Sequence, residues 1–419
     1  MFFFYRLLTL LLTPLALLRL QRGEAHSGRW RERLGSINKP RPGLIWIHAA
    51  SVGEINAAEG LINKLLERED SVMISTMTAT GARRCQVLFG ARVEHRYIAL
   101  DNPISVKRWL GRARPRLGLV LETEIWPELF SQCEAIGIPL VLISARLSEK
   151  AMRRYQRFMS LYAKALEAVV MASCQTQADA DRLTSLGLCK HRLVVGGNLK
   201  FDIALPAGLD AKARSMKAAW GERPTWTAGS TRPGEEQMLI EAHRRLLQKH
   251  PCALLVMAPR HPERAAEVSR LLDQQDLVWC HFDQRPGSDV QVVLVDQMGV
   301  LMTCYALAQI AFVGGSLVPL GGHNLLEPAA LGLPVLAGRF LDQQAESAER
   351  LESAGGLLRC KDTASLAILL QRFVDEPDLG QRMGHAAKSA LENSRGSLDR
   401  TLEAIDPFVR QKEAGQKAV

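Results

Sequence analysis

The chain has 419 residues, 47% of them hydrophobic and 23% charged, which excludes wholesale disorder and a polytopic membrane protein. Residues 1–42 account for +6 of the formal net charge of +9, so the remaining chain lacks the basic excess typical of a nucleic-acid binder. The eight cysteines stand singly, without C-x-x-C spacing. This pattern predicts a reducing compartment and neither a zinc site nor a disulfide framework.

The N-terminal segment from Met1 to Leu20 is strongly apolar, with interruptions at Arg6, Pro14 and Arg19. A secretory signal peptide would place its basic residues first, whereas here they follow the apolar run. As a helix the segment reaches about 30 Å, the thickness of a hydrocarbon core. We predict an uncleaved membrane anchor helix over residues 1–22, spanning or interfacial, with a buried helix of a soluble fold as the alternative. The basic segment 19–41 is expected to face anionic lipid and to keep the rest of the chain cytoplasmic.

From residue 43 onward, short apolar runs alternate with helical segments, which predicts parallel, doubly wound sheets covered on both faces. A polar stretch over 205–224 separates two such series and is interpreted as a linker. We therefore predict two α/β domains, 23–204 and 225–390, and a C-terminal helical tail over 391–419. The predicted strands are 44–49, 71–77, 93–100, 117–123, 139–145, 168–174 and 193–197, then 225–230, 253–259, 277–282, 290–296, 310–315 and 334–338.

Three motifs of the first domain follow strand ends, where ligands bind in open α/β sheets. HAASVGE (48–54) leaves the first strand and enters a helix, whose dipole is expected to lower the pKa of Glu54 and favour its ionised, basic form. A capping role for Glu54 is the alternative. Glu124 ends a buried strand, where a carboxylate has few structural uses. Lys200, in GGNLKFD (196–202), is either a cleft residue or an ordinary surface lysine.

Four loops that follow strands of the second domain predict a nucleotide site. Residues 229–236 and 314–316 are glycine-containing turns, the first of which opens a helix and suits phosphate oxygens. Arg260 offers a guanidinium fork after another strand, and Glu327 of GGHNLLEP (321–328) can accept from ribose hydroxyls. Walker A, G-x-S-x-G and HExxH motifs are absent. The acids of Asp179-Ala-Asp181 are interpreted as helix-start residues, so no metal site is predicted.

These motifs, taken in chain order, resemble those of the 3-deoxy-D-manno-octulosonic acid (Kdo) transferases of lipopolysaccharide synthesis. The resemblance covers nearly the whole chain, through RWRERLG, HAASVGE, STMTATG, ETEIWP, ISARLS, GGNLKFD, AGSTRPGEE, APRHPER, DQMG and FVGGSLVPLGGHNLLEPAALGLPV. It implies the GT-B fold, with an acceptor-binding Rossmann-like domain (23–204) and a CMP-sugar-binding Rossmann-like domain (225–390) facing across a cleft, and an N-terminal membrane anchor. It also implies an inverting transfer of Kdo from CMP-Kdo to a lipid A precursor (lipid IVA), without cofactor or metal, at the cytoplasmic face of the bacterial inner membrane.

The resemblance also implies roles for individual residues. Glu54 corresponds to the general base, and Glu124 and Lys200 correspond to residues that stabilise the transition state. The implied CMP contacts are Pro259, Arg260, Met298, Gly299, Val300, Asn324, Leu325, Leu326 and Glu327. The family commonly has Glu at the position of Val300 and Pro at that of Leu325, so a carboxylate contact at 300 is lost.

Two alternatives to a Kdo transferase are considered. A GT-B enzyme that uses a different nucleotide sugar, such as a UDP-linked N-acetylglucosamine transferase or epimerase, shares the architecture. A membrane-bound scaffold that binds nucleotide without turnover is the second, supported by the change at Val300.

Overall fold

The structure, a computed structural model, describes residues 1–24, 29–203, 205–392 and 394–410, and the side chains of 19–24 lie outside this description. It divides into two compact units. Unit 1 consists of the residues up to Asp202 together with the C-terminal segment from Ser394 onward, and unit 2 of the residues between them. Ala204, the predicted end of the first domain, lies outside the described residues.

The described part of unit 1 contains a seven-stranded parallel sheet, and this part of the fold prediction is confirmed. Its strands are β1 (Ile45–His48), β2 (Val72–Thr76), β3 (Glu94–Tyr97), β4 (Leu117–Leu121), β5 (Leu140–Ala145), β6 (Val169–Cys174) and β7 (Leu193–Val195). Their order across the sheet is β3-β2-β1-β4-β5-β6-β7. The winding direction reverses between β1 and β4, so the crevice beyond their carboxyl ends is where such a sheet binds ligands.

Helices cover both faces of this sheet, as the almost wholly apolar central strands require. The helices that precede unit 2 in the chain are α1 (Phe2–Glu24), α2 (Val52–Glu67), α3 (Ala79–Phe89), α4 (Pro103–Ala113), α5 (Pro127–Ala135), α6 (Glu149–Gln156), α7 (Met159–Leu166) and α8 (Gln177–Ser185).

Unit 2 repeats the design: its described residues form a second seven-stranded parallel sheet. The strands are β8 (Thr225–Thr231), β9 (Leu254–Pro259), β10 (Trp279–His281), β11 (Val292–Leu294), β12 (Ile310–Val313), β13 (Val335–Ala337) and β14 (Leu357–Arg359). In the order β10-β11-β9-β8-β12-β13-β14, the winding reverses between β8 and β12. The short edge strand β14 was not predicted.

The helices of unit 2 begin inside the predicted linker, since 209–220 is helical. They are α9 (Leu209–Trp220), α10 (Glu235–Leu247), α11 (Ala265–Asp273), α12 (Leu301–Leu307), α13 (Leu326–Ala330), α14 (Ala345–Ser353), α15 (Thr363–Asp375) and α16 (Pro377–Glu392).

The last helix, α17 (Ser397–Arg410), returns to unit 1. Its apolar residues Leu402, Ile405 and Val409 are buried in the same core as strands β1 and β2. The predicted helical character of the segment 391–419 is confirmed for 397–410, and this helix completes the core of unit 1 instead of forming a separate tail. Residues 411–419 lie outside the described residues.

The approach of α17 depends on the GGNLKFD motif. The carboxylate of Asp202 accepts hydrogen bonds from the backbone N–H groups of Leu398 (2.7 Å) and Gly396 (3.1 Å) at the start of the helix. A Cβ added to Gly197 would lie 2.2 Å from Ser397 Oγ, so only glycine permits this contact. The GGNLKFD motif, which was predicted to be functional, thus also has a structural role.

Helix α1 contacts the rest of unit 1 through polar side chains. Arg6 forms a two-pronged ion pair with Glu128 of α5, with Nε–Oε2 and Nη2–Oε1 distances of 2.7 and 3.1 Å. The hydroxyl of Tyr5 donates to Asp101 (2.6 Å), whose carboxylate also caps the N-terminus of α5. The polar contacts of α1 thus converge on the helix that follows Glu124.

Most apolar side chains of α1 are exposed, and Phe3 and Phe4 each have 72% of their surface accessible. The alternative of a helix buried in a soluble fold is therefore wrong. Among the described residues, no helix meets the combined requirements of length and apolar character for crossing a bilayer. The membrane anchor itself stays a prediction.

One residue of the predicted lipid-facing basic segment is structural. Arg33 is fully buried, donates to the carbonyls of Thr76 and Ile98, and stacks on the ring of Tyr97. The prediction of a lipid-facing role is wrong for Arg33, because composition does not distinguish a buried guanidinium from an exposed one. Residues 25–28 of the segment, and the side chains of 19–24, lie outside the described residues.

We expect Arg6→Met to lower the free energy of unfolding by about 2–3 kcal/mol. Removing one partner of a buried pair costs about 3–5 kcal/mol, reduced here because Arg6 is 45% exposed while Glu128 is fully buried. The measurement is the urea midpoint of the full-length protein. Arg153→Met, whose arginine is 80% exposed, is the control, and equal midpoints for the two variants would contradict a stabilising role for the pair.

Candidate functional site

Glu54 lies at the switch point of the first sheet, in the first turn of α2 directly after β1. Its carboxylate accepts hydrogen bonds from the backbone N–H of Ala50 (2.7 Å) and the hydroxyl of Ser51 (3.0 Å). Ser51 in turn caps the helix by accepting from the N–H of Glu54 at 3.3 Å. The capping alternative is therefore correct as a description of contacts, and the cap holds the carboxylate in one orientation.

Burial raises the pKa of Glu54 to about 7, and the nearby carboxylates of Glu122 and Glu124 add to the rise. Hydrogen bonds from Ala50 and Ser51 oppose the shift without cancelling it. The predicted lowering of this pKa by the helix dipole is therefore wrong, because loss of hydration outweighs the helix N-terminus. A carboxylate with a pKa near 7 exchanges a proton close to neutral pH, as a general base must.

Two further carboxylates follow β4, the sheet neighbour of β1. Glu122 is exposed and has a left-handed backbone (φ 52°), which turns the chain at the strand end. Glu124 is half-buried; burial raises its pKa, while Trp126 and Arg154 act to lower it. The structure thus brings Glu124 near Glu54, as the two strand-end motifs led us to expect.

Lys200 lies in a 3₁₀ turn (Leu199–Phe201) that packs against α2, the helix that carries Glu54. The backbone N–H of Lys200 donates to Asn198 Oδ1 (2.9 Å), and its Nζ lies 5.9 Å from the ring centre of Phe201. Asn198 is held by Gln175 through a 3.0 Å hydrogen bond. The turn is therefore fixed on its backbone side, while the half-buried lysine side chain extends from it.

A cavity of about 670 Å³ opens beside Glu122 and Glu124 in unit 1. Sequence reasoning missed several of its lining residues, which come from α1, from the segment after β5, and from α6 and α7. The available signal was the ISARLS motif, which contains Arg146 but received no role. The lining residues missed from sequence include Tyr5, Arg146, Arg154, Tyr155 and Tyr162.

Unit 2 has a cluster of basic side chains beyond the carboxyl ends of β8, β9 and β12. Arg232 Nη1 donates to His261 Nε2 at 2.7 Å. Burial lowers the pKa of His323 to about 4, and the charges of Arg260 and Arg232 act in the same direction. Only Arg260 of this cluster was predicted as a ligand contact; the other members are Arg232, His261 and His323. The cluster can neutralise an anionic group such as a phosphate.

In the GGHNLLEP loop, the polar side chains hydrogen-bond to each other, and the two leucine side chains are buried. Asn324 Nδ2 donates to Glu327 Oε1 (3.1 Å), and Asn324 Oδ1 accepts from the N–H of Leu326 (3.1 Å). Burial raises the pKa of Glu327, while Asn324 and Arg260 lower it. The side chains of Leu325 and Leu326 are buried, so these two predicted contact residues can offer a ligand only their backbone.

The remaining predicted CMP contacts occupy two strand-end segments. Pro259 is the buried last residue of β9, and Arg260 begins the following loop, with its N–H bonded to the carbonyl of Thr231 (3.0 Å). Met298 is 69% exposed, and Gly299 has the left-handed φ of 82° that turns the chain into α12. Val300 caps α12 and packs on the apolar residues below.

The loop at 314–316 does not present free N–H groups to phosphate. The buried carboxylate of Glu235 accepts from the backbone N–H groups of Gly315 (2.6 Å), Ser316 (2.9 Å) and Leu317 (2.8 Å). It also accepts from Arg232 N, at 3.1 Å. The backbone N–H of Arg232, in the predicted phosphate loop 229–236, and those of the strand-end turn 314–316 that bond to Glu235 are therefore not available to a phosphate, because a glutamate of the protein already occupies them.

Asp179 is a helix-start acid, as interpreted from the sequence. Its carboxylate accepts from the hydroxyl of Thr176 (2.6 Å) and the backbone N–H of Leu147 (2.9 Å). Asp181 accepts from Gln177 Nε2 at 2.9 Å. Over the described ranges, no group of three or more His, Cys, Asp or Glu side chains is arranged to hold a metal ion.

Comparisons with known proteins find a family profile and full-length relatives that carry the same description. A family profile described as 3-deoxy-D-manno-octulosonic-acid transferase (kdotransferase) matches residues 28–203. The chain is 36% identical to the 3-deoxy-D-manno-octulosonic acid transferase of Haemophilus influenzae, over 98% of this chain and 99% of that protein. It is 34% identical to the Bordetella pertussis protein of the same name, over 88% of each. The solved structure of Acinetobacter baumannii MurG aligns with a TM-score of 0.53 at 11% identity, covering 87% of this chain and 100% of that one, which shows a shared fold.

Proposed function

The chain belongs to the 3-deoxy-D-manno-octulosonic acid transferase family, and we propose that it transfers Kdo from CMP-Kdo to a lipid A precursor (lipid IVA) with inversion at the anomeric carbon. Kdo transfer in lipopolysaccharide synthesis follows from the family; the donor, acceptor and stereochemistry are the proposal. The observation that carries it is Glu54, a buried carboxylate with a pKa of about 7 at the switch point of unit 1.

Glu54 acts in this proposal as the general base that removes the proton of the acceptor hydroxyl. The Ala50 N–H and the Ser51 hydroxyl fix the carboxylate, so the base needs little reorientation before proton transfer. Attack of the deprotonated hydroxyl on the anomeric carbon, opposite the departing CMP, inverts that centre. Glu124 offsets the positive charge that develops on the sugar ring, and Lys200 offsets the negative charge of the Kdo carboxylate.

CMP-Kdo binds in unit 2 in this proposal, with its phosphate against Arg260 and Arg232. Two guanidinium groups can neutralise the single phosphate of the leaving group, so we propose that no divalent metal is required. The Glu327 carboxylate accepts hydrogen bonds from the ribose hydroxyls, and the Asn324 amide donates to the nucleoside. The contacts at Met298, Gly299, Val300 and Leu325 are made by the backbone, which tolerates the changes of side chain at 300 and 325.

The test is product analysis with the purified full-length protein. CMP-Kdo and lipid A precursor are incubated with it in detergent containing a chelator, and the lipid is weighed by mass spectrometry. We expect a product heavier by whole Kdo residues. Transfer only from a UDP-sugar would support the alternative GT-B enzyme, nucleotide binding without product would support the scaffold, and activity lost to the chelator would overturn the metal-free mechanism.

We propose that α1 anchors the protein in the interface of the bacterial inner membrane, with both units on the cytoplasmic face. The proposal is supported by the exposure of its apolar side chains while Tyr5 and Arg6 are held by unit 1. A helix in this arrangement can bury its exposed side in lipid without leaving the protein.

Leu8→Ser combined with Leu11→Ser is expected to weaken binding to anionic vesicles on the order of 10²-fold, since each leucine contributes about 1.5 kcal/mol of apolar burial. Co-sedimentation with vesicles measures it. The control pair is Val87→Ser with Ile136→Ser, which are also exposed residues of unit 1. Equal binding of both double variants would contradict the anchor. Substitution is preferable to deletion of residues 1–20, which would also remove the partners of Asp101 and Glu128.

A further inference from the structure

A buried carboxylate joins the two loops of unit 2 that carry the proposed phosphate ligands. Glu236, the second residue of α10, is 1% exposed, and its Oε1 accepts from Arg264 Nη1 (2.6 Å) and from the hydroxyl of Thr231 (3.0 Å). Thr231 ends β8 directly before Arg232, and Arg264 follows Arg260 in the loop after β9. The side chains of Thr231, Glu236 and Arg264 thus form a cross-link between the two strand ends, here called the Glu236 clamp.

The backbone of β8 is distorted where the clamp is attached. Ser230 has a left-handed backbone (φ 56°), and the pairing of β8 with β9 shifts register there, so that Thr231 lies opposite Pro259. A bulge of this kind costs free energy at a residue other than glycine and persists only where surrounding contacts fix it. The buried Thr231 hydroxyl is bonded to Glu236, and the Thr231 carbonyl accepts from the backbone N–H of Arg260 (3.0 Å). The clamp therefore fixes the strand end to which Arg260 is bonded.

The loop after β9 is held at its other end by Arg264. The guanidinium of Arg264 also pairs with Glu267, through two hydrogen bonds of 3.0 Å, and its backbone N–H donates to the carbonyl of His261 (3.0 Å). The ring of His261 in turn accepts from Arg232 Nη1 at 2.7 Å. The proposed phosphate ligands therefore lie on segments that Glu236 ties together.

A buried ion pair is a poor source of stability. The attraction between a carboxylate and a guanidinium barely offsets the free energy lost by taking both out of water, so an apolar pair of similar volume often stabilises a fold more. Glu236 and Arg264 form such a pair, since their side chains are only 1% and 14% exposed. The charged pair instead supplies direction, because one carboxylate oxygen that accepts two hydrogen bonds fixes the positions of both donors. This property suits the alignment of a binding site.

We infer that the Glu236 clamp is a positioning device for donor binding, which holds Arg260 and Arg232 at the spacing that the single phosphate of the donor requires. Glu236 is buried and acts through Arg260, not by contact with the ligand. The inference rests on the proposed function and adds to it residues that prepare the donor site.

Glu236→Gln tests the clamp in titration calorimetry of the full-length protein with CMP at concentrations up to the millimolar range. Glutamine keeps the size and one acceptor oxygen but loses the charge, so we expect the Kd for CMP to rise about 10-fold, as for the loss of one charge-assisted hydrogen bond. Thr231→Val removes the hydroxyl at nearly constant volume and should also raise the Kd. Thr231→Ser keeps the hydroxyl and should restore most of the affinity.

Glu267→Ala is the matched control, because it removes the exposed partner of Arg264 and leaves the buried partner in place. We expect it to leave the Kd for CMP unchanged. Equal effects of Glu267→Ala and Glu236→Gln would overturn the inference, as would a Thr231→Val variant with normal affinity for CMP. The Thr231 variants decide the question if Glu236→Gln does not fold.

A double-variant cycle separates positioning from a purely structural role. Arg260→Ala alone should raise the Kd for CMP about 10-fold. Because Glu236 acts through Arg260, we expect Glu236→Gln to raise the Kd by at most about 3-fold more in the Arg260→Ala background. The same factor in both backgrounds would show that Glu236 does not act through Arg260 and would overturn the inference. Absence of CMP binding by the unmodified protein, or an unchanged Kd for Arg260→Ala, would instead contradict the proposed donor site.

Discussion

Glu54→Gln is expected to lower kcat by about 10²–10⁴-fold, the usual contribution of general-base catalysis, while CMP-Kdo still binds. Glutamine has the same size and can keep an acceptor oxygen for the Ala50 N–H and a donor for Ser51, so the cap of α2 survives. We therefore expect a melting temperature close to that of the unmodified protein. Measuring kcat, donor binding and melting temperature on one preparation separates catalysis from structure.

The pH dependence of kcat and of stability is a second test of the role of Glu54. Because the pKa of Glu54 is raised to about 7, its basic form is populated above that pH, and kcat should fall as the pH drops below it. The sign for stability is opposite: the folded state holds this proton more tightly than the unfolded state, so ionisation costs stability as the pH rises from about 4.5 to about 7.

Glu67→Gln on the exposed end of α2 is the control and should change neither kcat nor its pH profile. A Glu54→Gln variant with normal turnover and a lowered melting temperature would assign Glu54 to the helix cap alone. The general base would then be sought at Glu124.

Glu235→Ala is expected to cost about 3–5 kcal/mol of unfolding free energy, among the largest effects for a single side chain. The substitution leaves the N–H groups of Gly315, Ser316 and Leu317 without an acceptor in a buried loop. The same loop supports His323, whose ring would lie 2.9 Å from a Cβ at Gly315. We therefore also expect a higher KM for CMP-Kdo.

Urea unfolding and donor kinetics measure the two consequences. Glu241→Ala is the control, because Glu241 lies on the same helix α10 but is partly exposed and pairs with Arg244 and Arg245. If Glu235→Ala unfolds at the same urea concentration as Glu241→Ala, the buried carboxylate does not hold the loop.

The sheets were predictable because buried parallel strands are apolar along their whole length, as in β4 and β9. Strand-end motifs likewise placed Glu54 and Glu124 at the ligand-binding edge of the first sheet, since the carboxyl ends of parallel strands share one edge. The edge strand β14 was missed because its burial is confined to Leu357, which gives no apolar run.

Side-chain partners were not predictable, because they join residues distant in the chain. Glu235 was assigned to a phosphate loop, although its partners lie some eighty residues away in sequence. The pKa of Glu54 was predicted in the wrong direction, because a helix dipole is visible in a sequence and burial is not. Arg154 was missed because its neighbour Glu124 lies on another element.

Unit 1 is interrupted in the chain by the whole of unit 2, since α17 follows Glu392 and packs with β1 and β2. During synthesis from the N-terminus, unit 2 leaves the ribosome complete while the first sheet still lacks Leu402, Ile405 and Val409. The apolar surface that these residues cover stays open until the last helix emerges. The nascent protein thus finishes its second unit before its first, and the site around Glu54 matures last.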